Sequence, residues 1–438
     1  MKLKYAFNLG RVFTLSLAEL FAVFENMEIS FRLVDLYREV LIIETEEALE
    51  VAKLQKRLGG TIKIMSVIDA LPRKKIQGPY HVFHDYFDIK ILRDKILATT
   101  SGKLQVGVSM YPMAAGLPLR GEIKRLGLLI KDVLVKAGHS TRIVFPQMDG
   151  LSLPSVVVAG EHLLEKGAEV CFLVGFERIY LAKTLSFQNF EDYGRRDYQR
   201  PVRSTQIGML PPKVAQIMIN LALIPKSATG NSKVAVLDPF TGSGTVLQEA
   251  MLMGFKTVGS DLSPLAIESA EKNLLWFKNR YQIPPNRFEL ITSDVAKLPE
   301  ALPKLEYAAV VTEGTLGPAY SEPPPEKEME KNFKNLEGTY LNAFRTFAKV
   351  LKSGSRVVIA LPAYHIGNNY RFFPVIDKVK KLGYDVVYPV PEPVVQKYPF
   401  LQITERGSII YDRKDQFVSR EIFILKLKNG KTEEPKNT

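Results

Sequence analysis

The chain has 438 residues, which points to two to four domains, and its 46% hydrophobic and 24% charged content is ordinary for a globular protein with a core. The lone cysteine, Cys171, excludes an internal disulfide and any metal cluster built on several cysteines, so no metal is expected. No run of about 18 apolar residues predicts a membrane span, and the start lacks a secretory signal pattern, so a reducing cytoplasm is the expected location.

The net charge of +12 is unevenly spread: residues 1–50 carry 5 Lys/Arg against 9 Asp/Glu, while 51–150 carry 17 against 7. A locally basic segment suggests a polyanion such as nucleic acid; solubility alone is the plain alternative. In chain order, residues 7–9 predict a strand. Residues 16–24 predict a helix, with Ser16 as N-cap and Glu19 completing a capping box. Strands at 32–34 and 40–44, a helix at 45–58 and a strand at 61–64 complete a βαββαβ sandwich. The stretch 71–79 reads as a linker. Residues 80–185 form a second α/β segment, with a helix at about 122–137 and apolar runs at 156–159, 168–175 and 178–186. Beyond about residue 208, strands (234–237, 257–260, 287–292, 307–311, 356–361) alternate with helices (245–253, 264–277, 328–351). That alternation predicts a parallel doubly wound sheet. Two β-rich runs, 408–411 and 421–427, predict a hairpin on its edge. Residues 429–438 read as a polar tail. No period of 20–50 residues repeats.

The chemistry is concentrated in VAVLDPFTGSGTVLQEA. A strand ends at Leu237, and the turn Asp238-Pro-Phe240-Thr241-Gly242-Ser-Gly244-Thr245 opens a helix. Such a glycine turn brings backbone close to a ligand. A dinucleotide would want a third glycine where Leu247 stands, and Asp238 would repel its pyrophosphate. S-adenosylmethionine carries an ammonium and a sulfonium, so a carboxylate there favours it. Asp261, ending the next strand, is placed for ribose hydroxyls, and Asp294 after the third strand for adenine. A structural turn with solvated carboxylates is the plain alternative.

DPFTGSGT with Asp261 and Asp294 resembles the motif set of the THUMP-domain tRNA guanosine-N2-methyltransferase family, the enzymes acting at guanosine 10. Arg196-Asp-Tyr-Gln-Arg-Pro201, then Gly208-Met-Leu-Pro-Pro-Lys213-Val-Ala and Ile219-Asn-Leu, resemble that family's junction before the catalytic domain. Phe7-Asn-Leu-Gly-Arg and Ser16-Leu-Ala-Glu-Leu resemble its ferredoxin-like start. Lys166-Gly and Leu181-Ala-Lys-Thr184 resemble its THUMP domain. The resemblance implies an α/β fold: a ferredoxin-like domain at 1–75, a THUMP-like RNA-binding domain at 80–185, a linker at 186–215 and a Rossmann-like class I methyltransferase domain at 216–428. It also implies a tRNA partner held by shape and backbone. Arg73, Lys74, Lys75, Lys124, Arg125, Lys131, Lys136 and Arg142 are suited to phosphates, with a solvated surface as the alternative for each.

In that family the fourth strand is followed by Asp/Asn-Pro-Pro-Tyr/Phe. An exocyclic amine is a poor nucleophile, so a side-chain oxygen and a backbone carbonyl take its N–H bonds and aim its lone pair, while the aromatic stacks on the base. Here the sequence is Glu313-Gly314-Thr315-Leu316-Gly317-Pro318. Glu313 keeps a carboxylate one methylene longer, Gly314 and Thr315 replace the prolines, and Tyr320 is the nearest aromatic to stack. A solvated loop carboxylate is the alternative for Glu313. His81, His84, His139, His162 and His365 show no metal-ligand spacing. The leading expectation is methyl transfer from S-adenosylmethionine to guanine N2 of tRNA, with Glu313, Thr315 and Tyr320 as catalytic residues. The alternatives are an rRNA or DNA base-amine methyltransferase, and a tRNA-binding protein with a decayed catalytic loop. The oligomeric state is not legible.

Overall fold

Runs of apolar residues, buried at every position in the central strands Val40–Thr45 and Gly167–Val174, build the first sheet. Its strands are β1 (Leu3–Leu9), β2 (Arg32–Tyr37), β3 (Val40–Thr45), β4 (Thr61–Pro72), β5 (Leu104–Pro112), β6 (Thr141–Val144), β7 (Gly167–Val174) and β8 (Arg178–Phe187). The computed structural model describes residues 2–74, 77–99, 101–147, 150–203, 209–318, 320, 322–367, 369–413 and 416–429. Lys75, Gly208 and all of the polar tail after Asn429 lie outside them. The chain divides into two units. One holds Met1–Phe13, Ser30–Lys56 and Thr61–Phe190; the other holds Thr14–Ile29, Arg57–Gly60 and Glu191–Thr438.

The sheet of the first unit runs β2-β3-β1-β4-β8-β7-β5-β6. The expected linker at 71–79 is not a break, because β4 continues to Pro72 and pairs Leu71 with Ile179 and Pro72 with Arg178. β4 also pairs with β1, so one sheet crosses the boundary expected near residue 75. The second helix covers Val51–Arg57 rather than 45–58, because Thr45 ends β3. The run at 156–159 lies in a helix, Ser155–Gly160. Arg73, expected to face phosphates, is buried, and donates to the carbonyls of Gln77 (2.6 Å) and Gly175 (2.7 Å). Arg125, Lys136 and Arg142 are paired with Glu122, Asp132 and Glu161, surface contacts worth little stability.

A buried polar knot ties this sheet together. Lys63 Nζ donates to Glu169 Oε1 (2.5 Å) and to the Leu153 carbonyl (2.6 Å). Ser109 (2.5 Å) and Thr184 (2.6 Å) donate their hydroxyls to the same carboxylate, and Leu153 N–H donates to Ser109 Oγ (2.9 Å). Removing one partner of a buried ion pair strands the other. Glu169→Ala is therefore expected to cost about 3–5 kcal/mol in urea unfolding. A loss no larger than a surface substitution would contradict this account of the knot.

The second unit is mixed α/β and Rossmann-like. Its strands are β9 (Val234–Asp238), β10 (Lys256–Asp261), β11 (Phe288–Thr292), β12 (Glu306–Glu313), β13 (Leu351–Ile366), β14 (Asn369–Phe372), β15 (Tyr384–Val386), β16 (Ile409–Tyr411) and β17 (Val418–Leu427). They run β11-β10-β9-β12-β13-β17-β15, with β14 on β13 and β16 on β17. Pairing is parallel from β11 to β13 and antiparallel from β13 to β17 and β15. The expected final hairpin forms, but not as an edge: β17 lies between β13 and β15. Tyr340, Phe344 and Phe347 of the Glu326–Val350 helix bury their rings against Val357, Ile359 and Phe423 of the sheet. Among the described residues no helix is long and apolar enough to cross a membrane.

The first long helix begins at Phe13, one turn before the expected cap. Ser16 is thus inside it, and the capping box does not form. Glu19 is instead fully buried and accepts from Gly59 N–H (2.8 Å), Gly60 N–H (2.7 Å) and Asn220 Nδ2 (2.7 Å), all in the second unit. Burial pushes this carboxyl up to about 7.

Candidate active site

The strand order of the second sheet reverses between β9 and β12, and open α/β sheets bind ligands outside the carboxyl ends of the strands at such a point. Asp238 ends β9, Asp261 ends β10 and Glu313 ends β12, so three carboxylates mark that edge. The glycine turn joins β9 to the helix Thr245–Leu252. Gly242 (φ 51°) and Gly244 (φ 86°) both adopt the left-handed conformation that favours glycine. A side chain on Gly242 would meet nothing within 4 Å, so the turn presents open backbone there.

Asp238 is 2% exposed and accepts from the Thr312 hydroxyl (2.6 Å) and Phe240 N–H (3.3 Å). Burial pushes its carboxyl up to about 7, with the hydrogen bonds opposing and the charges of Asp261 and Glu313 adding. Asp261 accepts from Gly242 N–H (3.0 Å) and Ser263 N–H (2.9 Å), one on each oxygen. It therefore ties the turn to the start of the helix Pro264–Tyr281. Thr241 is buried, donating N–H to Ser260 O (2.9 Å) and its hydroxyl to Asp238 O (3.2 Å). Phe240 is half-buried beside Tyr340. Asp294 stands apart from these: it is exposed and folds onto its own turn, accepting from Ala296 N–H (2.8 Å).

The residues that brace the turn from behind were read only as junction or helix. Arg200 is buried, and its Nη1 donates to Thr245 Oγ1 (2.8 Å). Arg196, one helical turn earlier, pairs with buried Glu249 of the turn's helix. Asn273 donates to Ser243 O (3.0 Å) and Val202 O (3.0 Å) and accepts from Val202 N–H (2.9 Å). Two arginines four apart, in a stretch read as linker, were the available signal.

Glu313 is not a solvated loop carboxylate. Its side chain is 18% exposed and pairs with Arg420 of β17, itself 1% exposed. Burial raises its carboxyl above the usual range, against the opposing pull of Arg420 and Arg413. Gly314 is a close approach: a Cβ there would lie 2.1 Å from the Tyr340 hydroxyl. That hydroxyl donates to the Thr315 carbonyl (2.9 Å), while the Thr315 side chain is exposed. Tyr320 is turned into the aromatic cluster, edge-on to Tyr364 at 6.0 Å between ring centres. A separate hollow, lined by Asp192, Arg195, Trp276, Asn279, Arg280 and Tyr281, lies at the far end of the Pro264–Tyr281 helix and contains none of the expected site residues.

Residues 230–388 match the family model of a methyltransferase domain. The tRNA (guanine(10)-N2)-dimethyltransferase of Pyrococcus abyssi is 28% identical over 193 residues, 44% of this chain and 46% of that protein. The protein of the same name from Methanothermobacter thermautotrophicus is 32% identical over 123 residues, 28% of this chain and 32% of that protein. The chain thus spans less than half the length of these curated relatives. The crystal structure of TrmN from Thermus thermophilus is similar in fold over 98% of this chain and 100% of that one, with a TM-score of 0.52 and 16% identity. The chain therefore carries a methyltransferase domain at 230–388, whose cofactor is S-adenosylmethionine.

Proposed function

We propose that this protein transfers a methyl group from S-adenosylmethionine to a base amine of tRNA, guanine N2. The observation that carries this reading is the juxtaposition of buried Asp238 and half-buried Glu313, two carboxylates at the ends of neighbouring parallel strands where the strand order reverses. The domain match supports the transfer chemistry, and the names of the two archaeal relatives supply the substrate.

The residues present fit the cofactor. The turn over Gly242 is open, and Asp238 accepts from a hydroxyl and an N–H rather than from a cation. A cationic ligand would compensate that buried charge. Asp261 uses one bond per oxygen and keeps lone pairs for ribose hydroxyls. Asp294 is assigned to the adenine side. When bound, S-adenosylmethionine supplies a methyl carbon on a sulfonium, and the electron pair of the broken C–S bond stays on sulfur as the amine lone pair takes the carbon. Glu313 accepts an amine N–H, which directs the lone pair away from the ring, and holds the proton that the methylated nitrogen sheds. The Thr315 carbonyl is held by Tyr340 beside it, and Tyr320, the aromatic assigned to stack on the base, would have to turn out of its packing against Tyr364 to do so.

On this reading the segments 1–75 and 80–185 are ferredoxin-like and THUMP-type modules that grip tRNA, 186–215 joins them to the catalytic domain at 216–428, and the protein works in the cytoplasm. Exposed Lys124 and Lys131 remain suited to phosphates. The test is transfer of labelled methyl to total tRNA followed by nucleoside mass spectrometry. The expected product is an N2-methylated guanosine. Cofactor binding without transfer to any RNA would sink the reading and favour a tRNA-binding protein; transfer only to rRNA or DNA would move the substrate.

A further inference from the structure

Arg420 is the third residue of the largely apolar strand β17, paired with Pro362 of β13 on one side and Tyr411 of β16 on the other. Its Nε donates to Glu313 Oε1, and its Nη1 donates to Gln416 Oε1 (2.9 Å). The adjacent Glu421 does not serve it: that carboxylate is held by Ser408 (2.7 Å) and Arg406 (3.1 Å). A buried arginine is costly unless paired, and a buried ion pair is seldom more stable than apolar residues of the same volume. Stability is therefore a poor reason for placing one at the end of β12.

Geometry supplies a better one. A glutamate has one more rotatable bond than the aspartate or asparagine that would give the shorter motif. That extra freedom lets its carboxylate wander unless something pins it. Arg420 pins one oxygen, which sets the direction of the other. Among the described residues, none donates a hydrogen bond to Glu313 Oε2. The loop that follows is shaped around the same point: Gly314 is the residue that lets Tyr340 approach, and Tyr340 holds the Thr315 carbonyl. Two acceptors are thus held on either side of a glycine.

We infer that Arg420 is a positioning residue for the transfer: it holds Oε1 of Glu313 so that Oε2 accepts the N–H of the base amine. The inference rests on the role proposed above for Glu313. The charged and titratable groups facing Glu313 are Arg420 on β17, Arg413 before it, Asp238 on β9 and Tyr340 on the Glu326–Val350 helix. Arg420 is the cation in direct contact, so its loss leaves Glu313 beside Asp238 with a weaker counter-charge.

The test compares Arg420→Lys and Arg420→Gln with the wild type in the full chain. It measures melting temperature, S-adenosylmethionine affinity by calorimetry, and kcat and KM for total tRNA across pH. In folded Arg420→Gln, kcat is expected to fall about 100-fold, with cofactor affinity and KM within about threefold of wild type. Arg420→Lys is expected to recover part of the loss, because a cation remains. The acid limb of kcat should move to higher pH in Arg420→Gln, since Glu313 holds its proton longer. Unchanged kcat, an unmoved acid limb, or equal loss of cofactor affinity and kcat would overturn the inference. If Arg420→Gln does not fold, Arg420→Lys decides by the same readouts, expected to be intermediate. A wild type that methylates no tRNA overturns the proposed function itself, which separates the two failures.

Discussion

Replacing Asp238 by Asn is expected to abolish tight S-adenosylmethionine binding while raising the melting temperature of the ligand-free protein at pH 8. Asn keeps the size of the side chain and an oxygen for the Thr312 hydroxyl and Phe240 N–H. It removes a charge that burial disfavours. The carboxyl is pushed from 3.8 up to about 7, so the folded state holds the proton more tightly than the unfolded state. Its contribution to stability is therefore complete below pH 3.8 and is lost as pH rises through about 7. At pH 8 the ionised wild type bears a penalty on the order of 4 kcal/mol that the variant escapes. Binding moves the other way, because a buried charge pair broken on one side costs about 2–5 kcal/mol, roughly 30-fold to several-thousand-fold in Kd. The same logic makes wild-type affinity fall roughly tenfold per unit below pH 7, where Asp238 must shed its proton to meet a cation. Calorimetry at pH 6 and 8, with thermal melts, measures both effects. Equal affinity in the variant would remove Asp238 from the cofactor site.

Glu313→Gln is expected to lower methyl transfer about 100-fold with cofactor affinity within about twofold of wild type. The amide preserves an oxygen for Arg420 but removes the charge that favours an amine N–H and takes its proton. Single-turnover transfer to tRNA, beside cofactor calorimetry, gives both numbers. Parallel loss of both would mean that Glu313 supports the cofactor turn instead.

Local features were legible. Gly242 and Gly244 declared themselves because a strand, a tight turn and a helix are consecutive in sequence, and the acids at 238, 261 and 313 fall at strand ends that periodicity locates. Long-range pairings were not. Nothing near Glu313 announces that Arg420, 107 residues later, will hold it. Asn273 likewise reaches the turn from a helix with no local pattern of a site, and Arg200 from a stretch whose only signal was a second arginine four residues earlier. Two local patterns misled for physical reasons. Ser16 and Glu19 have capping-box spacing, but the helix starts earlier and Glu19 turns inward to the N–H groups of Gly59 and Gly60. Residues 71–79 have linker composition, yet Pro72 is the last residue of a long strand and Pro79 opens a short helix.

The burial of Glu19 has a consequence for synthesis. Its partner Asn220 lies 201 residues downstream, and both belong to the second unit, whose first segment is Thr14–Ile29. A ribosome adding about 5–20 residues per second makes the helix wait roughly 10–40 s for that partner. During the wait its apolar face, Leu15, Leu17, Leu20 and Phe24, has yet to gain the part of the second unit that follows residue 190. The N-terminal helix therefore waits for the unit it belongs to, while the strands β1 to β8 can pair with one another before residues 191–438 are made.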